Sequence, residues 1–131
     1  MPQFTVSTDA RLTVDDITDR VRDAVDDVAP GPGERVCTVF VEHTTAGVVV
    51  NEAESRLLGD VEAYLSQIVP NERWDHDAID DNADAHLRTL FLGNSVQVPV
   101  VGGDLTLGSW QSVLLVECDG PRDRTLRVVV D

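Results

Sequence analysis

Ser109-Trp110-Gln111-Ser112-Val113-Leu114-Leu115-Val116-Glu117-Cys118 is the apolar run around which the rest of the chain is organised. It is rich in β-branched and apolar residues, follows Gly108, and is closed by Asp119-Gly120-Pro121-Arg122, so it reads as a strand bounded by turns. Strand parity puts Gln111, Val113, Leu115 and Glu117 on one face. A Gln and a Glu on an otherwise apolar face need partners if buried, which points to a site or an intersubunit contact at one end of the strand. On either side of it, Ser95 to Val101, Leu105 to Leu107 and Thr125 to Val130 read as further antiparallel strands, with Gly102-Gly103-Asp104 as a turn. The expectation is a C-terminal β-meander.

The N-terminal half supplies the rest. Phe4 to Val14 alternates around Thr5, Val6, Leu12 and Val14 and reads as one or two strands broken near Asp9. Ile17, Val21, Val25 and Val28 make one helical face, stopped by Pro30-Gly31-Pro32-Gly33. Arg35 to His43 is a strand in which Cys37, Val39 and Val41 share a face that His43 continues, so His43 is expected to point inward. Asn51 to Ile68 reads as a second helix, with Asn51 and Glu54 as a capping-box-like start and Leu57, Leu58, Val61, Tyr64, Leu65 and Ile68 as its buried stripe. Asn71 to Asp81 has no periodicity and reads as a polar loop. Asn82 can cap a third helix reaching Leu92, with Ala83, Leu87, Leu90 and Phe91 toward the core and Gly93 as the stop. Strands at both ends and three helices between them give an α+β fold, and 131 residues make one domain, 1-131.

Composition narrows the function classes. There are 24 acids against 10 bases, a formal net charge of −14; all the bases are arginine and 17 of the acids are aspartate. Such a surface repels itself at low salt and is relieved by screening, which fits a salt-rich cytoplasm of the halophile kind. No nucleic-acid partner is expected, because no basic patch exists to neutralise phosphates. No apolar run approaches the ~18 residues of a membrane span, and the N-terminus lacks signal-peptide character, so neither a membrane nor export is expected and the location is read as cytoplasmic. Cys37 and Cys118 sit in apolar strand patterns and read as buried reduced thiols.

Chemistry is concentrated where the imidazoles are. Two of the three histidines lie in Trp74-Asp75-His76-Asp77-Ala78-Ile79-Asp80-Asp81-Asn82-Ala83-Asp84-Ala85-His86-Leu87; the third opens His43-Thr44-Thr45-Ala46-Gly47. Acids before a helix complement its dipole, and that covers Asp75, Asp77, Asp80 and Asp84. It does not cover His76 and His86, which fit no apolar stripe. Asn82 and His86 lie one turn apart on one helix face and can address one point. His43, His76 and His86 with neighbouring carboxylates are candidate ligands for a divalent metal, Mg2+ or Zn2+, although their spacing matches no familiar zinc motif. The Thr44 and Thr45 hydroxyls can bind a phosphate or close a turn. Trp110 is more often core than binder. Arg122 is one of few cations placed to meet an anion.

Several of these segments in register resemble the YjbQ family, also called secondary thiamine-phosphate synthases. The resemblance rests on His43-Thr44-Thr45-Ala46-Gly47, Asn51-Glu52, His76 with Asp80-Asp81-Asn82, Ala85-His86-Leu87, Gly93-x-Ser95, Gly108-Ser109-Trp110-Gln111 and Glu117-x-Asp119-Gly120-Pro121-Arg122. It spans about Phe4 to Val130, and the chain departs from the family mainly in its Arg- and Asp-dominated surface. The resemblance implies a compact antiparallel β-sandwich-like subunit, a homotrimer, and a polar cleft near the subunit boundary. It also implies a weak, secondary synthase that joins hydroxymethylpyrimidine diphosphate to thiazole phosphate and releases pyrophosphate. On that reading His76, Asp80, Asp81 and His86 are catalytic, and Thr44, Thr45, Asn82, Arg88, Trp110, Gln111 and Arg122 bind the small phosphorylated substrate. The scarcity of cations makes a divalent metal the expected partner of the pyrophosphate, with the carboxylates and Trp110 near the electron-poor pyrimidine. The alternatives are a non-catalytic metal- or small-anion-binding trimer and a metal-dependent hydrolase using the same residues.

Overall fold

In the computed structural model, which describes residues 2–131, the chain forms two antiparallel sheets with helices on the outside. The strands are β1 (Gln3–Ser7), β2 (Thr13–Asp16), β3 (Glu34–Val41), β4 (Ala46–Asn51), β5 (Ser95–Val101), β6 (Asp104–Leu105), β7 (Ser112–Glu117) and β8 (Asp123–Val130). Three long helices, α1 (Thr18–Val28), α2 (Ser55–Ile68) and α4 (Ala83–Leu92), are joined by a single-turn helix, α3 (Asp77–Asp80). One sheet runs β1-β8-β3-β5-β6 and the other β2-β7-β4. The α+β class stands. The meander does not: β7 leaves its chain neighbours to become the centre of the smaller sheet, while β8 returns between β1 and β3.

The reason lies in the composition of β7. Val113 and Leu115 enter the core between the sheets, with Val39, Val41, Val98, Val100, Leu126 and Val128 of the larger sheet and Val21 and Val25 of α1. Leu114 and Val116 point the other way, into a second cluster with Val14, Leu65 of α2 and Ala85 of α4. A strand apolar on both faces belongs in a central position with layers on either side.

Three local expectations change. Val48 to Asn51 pairs with β7 as part of β4, so α2 begins at Ser55 and not at Asn51. Glu54 is its cap, accepting from the amides of Arg56 and Leu57, and Asn51 instead accepts from the Glu52 amide at 2.8 Å. The Asn71 to Asp81 loop contains α3, whose last residue leads into Asp81 in the left-handed conformation, φ 55°. Most informative is α4, where Leu90 and Phe91 are exposed and the buried face carries Ala83, Asp84, Ala85 and Arg88. Asp84 and Arg88 form an i,i+4 ion pair at 2.6 Å on the core side. Apolar periodicity misleads there because the inward face holds a paired charge.

The open apolar residues are not scattered. Tyr64 and Ile68 of α2 and Phe91 of α4 are exposed around a groove of about 310 Å³ that Val49, Leu57, Val61, Leu65, Leu92, Leu114 and Val116 also line. The helix stripe of α2 is therefore half-open within one chain, and only Leu65 of it is fully buried. Val28 at the end of α1 is exposed as well. Gly47 lets the end of α4 approach β4, since a Cβ there would lie 2.7 Å from Leu92 Cβ and 2.8 Å from Gly93 O. No helix among the described residues is long and apolar enough to cross a membrane.

Candidate functional site

Three segments meet at one end of the molecule: the link from β3 to β4, the α3–α4 junction, and the turn between β7 and β8. Between them lies a cleft of about 630 Å³ lined by Glu42, His43, Thr44, Thr45, Asp80, Asn82, His86, Asp119, Arg122, Asp123 and Arg124.

Its floor is a buried charge network. Glu117, at the end of β7, accepts from Thr8 Oγ1 at 2.7 Å, from Arg124 Nε at 2.8 Å and from the Asp119 amide at 3.0 Å, and its other oxygen also meets Arg124 Nη2. Burial by itself would raise the Glu117 carboxyl, but these hydrogen bonds and the Arg124 charge outweigh it and hold the group below its usual value. Arg124 Nη2 continues to Thr45 Oγ1 at 2.8 Å and to the Thr45 carbonyl at 3.2 Å. The Glu117 partner is thus a residue of the same chain and not a neighbouring subunit. Arg124 is legible by parity, since it precedes Leu126 and Val128 on the inward face of β8. Starting that strand at Thr125 hides it. Thr8 Oγ1 also accepts from the Arg122 amide at 3.0 Å, which ties the β7–β8 turn to the N-terminal segment. Gly120 is required in this turn: a Cβ there would meet Ala10 O at 2.2 Å and both Glu117 Cγ and Thr8 Oγ1 at 2.8 Å.

The walls present groups with defined roles. Asp119 Oδ2 accepts from Asn82 Nδ2 at 2.8 Å and from Arg122 Nη2 at 3.0 Å, while Arg122 Nε donates to the Asp119 carbonyl at 2.8 Å. Arg122 stays half-exposed in the cleft wall. His43 Nε2 accepts from the Thr125 amide at 2.9 Å, so the neutral ring carries its proton on Nδ1. Burial first, then the Arg124 charge, lowers the His43 pKa and favours that neutral form. Thr45 Oγ1 is an acceptor toward Arg124, which leaves its proton to donate elsewhere. Asn82 precedes α4 but does not cap it; the Ala83 amide donates to Asp77 Oδ1 at 3.0 Å instead. Asp77 therefore fills the helix N-terminus where a phosphate could otherwise sit.

Of the expected site residues, the cleft gathers His43, Thr44, Thr45, Asp80, Asn82, His86 and Arg122. His76 stands behind His86, with ring centroids 4.9 Å apart and planes at 88°. Asp81 is the exposed left-handed link between α3 and α4 and lies outside the lining. Arg88 is not a substrate group: it is buried, with Nη1 on Asp84 Oδ2 at 2.6 Å, Nε on Leu65 O at 3.0 Å and Nη2 on Val69 O at 2.6 Å. It secures the end of α2. Trp110 is exposed on the turn before β7, and Gln111 Oε1 accepts from the Gly108 amide at 2.8 Å; neither reaches the cleft. The residues not anticipated are Glu42, Asp119, Asp123 and Arg124.

His43, His76 and His86 do not assemble into a ligand group among the described residues of the single chain, nor do any other three His, Cys, Asp or Glu side chains. The Nε2 lone pair of His43 is taken by the Thr125 amide. The cysteines are unsuited to ligation or redox work. Both are buried free thiols, with burial pushing Cys37 up to about 11 and Cys118 up to about 12.

A protein-family model described as "UPF0047 protein YjbQ-like" matches residues 2–130. A UPF0047 protein from Archaeoglobus fulgidus is 43% identical over 129 residues, covering 98% of this chain and 97% of that protein. The crystal structure of a hypothetical protein from Aeropyrum pernix superposes with a TM-score of 0.94 at 43% identity, over 99% of this chain and 96% of the other. A YbjQ-like protein of unknown function from Sulfolobus solfataricus gives 0.92 at 39% identity, over 98% and 94%.

Proposed function

From the premise that the chain belongs to the YjbQ-like UPF0047 family, we propose that its cleft is the site of a weak thiamine-phosphate synthase-type transfer. Hydroxymethylpyrimidine diphosphate loses pyrophosphate by cleavage of its methylene C–O bond. The methylene carbon is then captured by the ring nitrogen of thiazole phosphate, and the electron pair of the broken bond leaves with the pyrophosphate. The observation that carries this reading is the two-signed character of the cleft: donors from Arg122 and the Thr44 and Thr45 hydroxyls share it with the carboxylates of Asp80 and Asp119. The donors suit the leaving anion and the carboxylates suit the electron-poor pyrimidine as positive charge develops. Of the two candidate carboxylates, Asp80 takes the supporting role and Asp81 does not, because Asp80 is the one in the cleft wall. His86 orients the diphosphate and is itself positioned by the edge of His76. With cations scarce in the cleft, a divalent ion enters with the diphosphate substrate as its counterion.

The homotrimer belongs to the same proposal. The open groove between α2 and α4 offers the apolar surface that a neighbouring subunit would cover. Light scattering at high salt should return about three chain masses; a clean monomer removes the trimer.

The activity test uses protein prepared from a host lacking its own synthase. Thiamine phosphate and pyrophosphate should appear in equal amounts, slowly and only with Mg2+. His86→Ala should lower turnover ~10²–10³-fold with an unchanged melting temperature. Tight pyrophosphate binding without product would favour the non-catalytic anion-binding protein. Release of free hydroxymethylpyrimidine would identify a hydrolase. Activity unchanged in His86→Ala would place the chemistry outside this cleft.

A further inference from the structure

The cleft has a neighbour of opposite character. A second pocket, of about 490 Å³, runs along α4 and shares His43, Thr44 and His86 with the cleft, so these three residues stand between the two spaces. Its apolar walls are Ala46, Leu87 and Leu90. The cleft is lined by four carboxylate and two arginine side chains, Glu42, Asp80, Asp119, Asp123, Arg122 and Arg124. In the second pocket none of the described lining residues is Asp, Glu or Arg, although the chain carries 24 acids and 10 arginines.

The backbone around the second pocket is already engaged. Thr89 Oγ1 shares its proton between the Thr44 carbonyl at 2.9 Å and the His86 carbonyl at 2.8 Å. The Gly93 carbonyl accepts from the Val48 amide at 3.2 Å, and the Asn94 carbonyl accepts from the Val41 amide at 2.8 Å. A wall without carboxylate or guanidinium, and with its carbonyls occupied, selects by shape and apolar contact. Leu90 is 79% exposed there, and it lines this pocket and not the groove between α2 and α4. It therefore lies outside the groove assigned to a neighbouring subunit.

An anion site that opens across two imidazoles onto an apolar wall suits a ligand with two unlike ends. An inorganic anion would fill the cleft and leave the second pocket to water. A polyhydroxylated group would give up its own water there for few partners in return. We propose that the second pocket is the apolar half of one elongated site, whose ligand is an organic phosphate with its uncharged, apolar group against Leu87 and Leu90 and its phosphate in the cleft across His86. This rests on the anion-binding part of the proposed function and on none of its transfer chemistry.

The test compares phenyl phosphate, glycerol 3-phosphate and inorganic phosphate by calorimetry on the full-length chain at high salt with Mg2+. Phenyl phosphate should bind about tenfold more tightly than inorganic phosphate, the factor expected when about 60 Å² of apolar surface leaves water. Glycerol 3-phosphate should gain less than about twofold. In methyl-labelled protein, nuclear Overhauser contacts should run from the phenyl ring to the Leu87 and Leu90 methyls. Leu90→Gln, tolerated because the side chain is exposed, should bring the phenyl-to-inorganic ratio down to about threefold or less. The wild-type contacts stand even if the variant folds poorly. Equal affinities of the three ligands would remove the apolar subsite and leave the cleft as an anion site. Glycerol 3-phosphate binding as tightly as phenyl phosphate would refute the apolar selection. Binding by none of the three would overturn the subsite and the anion reading together. Either an unchanged phenyl advantage in folded Leu90→Gln or ring contacts to neither leucine would place the apolar group elsewhere and overturn the assignment. Contacts from Leu90 to a second, differently labelled chain would make this face a subunit interface and overturn it as well.

Discussion

Two buried guanidinium–carboxylate pairs sit close to the cleft, and they do different things. Arg88 and Asp84 face inward from a single helix, and Arg88 ends on the Leu65 and Val69 carbonyls, where α2 stops. Arg124 and Glu117 join two sheets, and their outer partners, Thr45 and Asp119, are themselves cleft residues. The first pair locks a helix terminus and closes it to ligands. The second is a floor on which a binding surface is mounted. A buried arginine is therefore no sign of a substrate cation; what matters is whether its partners are the wall of a cavity or the end of another element.

The largest expected effect is Glu117→Ala. It leaves Arg124, Thr8 and the Asp119 amide without their shared acceptor, and removal of one partner from a buried pair costs about 3–5 kcal/mol. Urea unfolding should give the upper part of that range, with pyrophosphate binding lost as the β7–β8 turn loosens. Asp84→Ala should cost less, near the lower end of about 3–5 kcal/mol, because two carbonyls still solvate Arg88. Pyrophosphate affinity should survive it. Equal loss of binding in both variants would make the two pairs equivalent and end the distinction.

Next comes Arg122→Ala. Its ion pair with Asp119 is half-exposed, so stability should change by under about 1 kcal/mol. Anion affinity should fall roughly tenfold, as for one charge-assisted hydrogen bond. Unchanged affinity would show that the cleft's cation lies elsewhere.

The smallest effect is a pH dependence. The His43 pKa is lowered from 6.5 in the folded chain, by burial first and by Arg124 second. The unfolded chain therefore binds the proton more readily. The His43 contribution is complete above pH 6.5 and is lost as pH falls through the lowered folded value. Protonation would also remove the acceptor of the Thr125 amide. His43→Gln, which keeps an acceptor but does not titrate there, should flatten the stability curve relative to the wild type as pH falls from above 6.5 through the lowered folded value. Parallel curves would separate His43 from the electrostatics of the floor.

Much of the fold is legible in the residues. β3 and β5 lie within two residues of the expected bounds, and the C-terminal end of α2 falls at Ile68 as expected. The misreadings share a cause. Leu90 and Phe91 look like core because apolar residues at helical spacing usually are, yet the inward face is given to Asp84 and Arg88. Ala46–Asn51 passes unnoticed because no turn signal separates it from the following helix, and only pairing with β7 makes it a strand. Trp110 and Gln111 precede the central strand but stop short of it, and so miss the site.

The α+β class, the concentration of imidazole and carboxylate in two segments, and the presence on β7 of a Glu that had to find a partner are all legible in the amino-acid sequence. Its local patterns sufficed for these because period, composition and the cost of a bare buried charge act over a few residues. Tertiary packing settles who that partner is, which arginine lines the cleft and which is sealed away, and that Asn82 braces Asp119 and does not cap α4. Those outcomes depend on atoms brought together from Thr8, Thr45, Asn82, Glu117 and Arg124, far apart in the chain. No periodicity records a contact between elements whose order in the sheet is set by where β7 can bury both its faces.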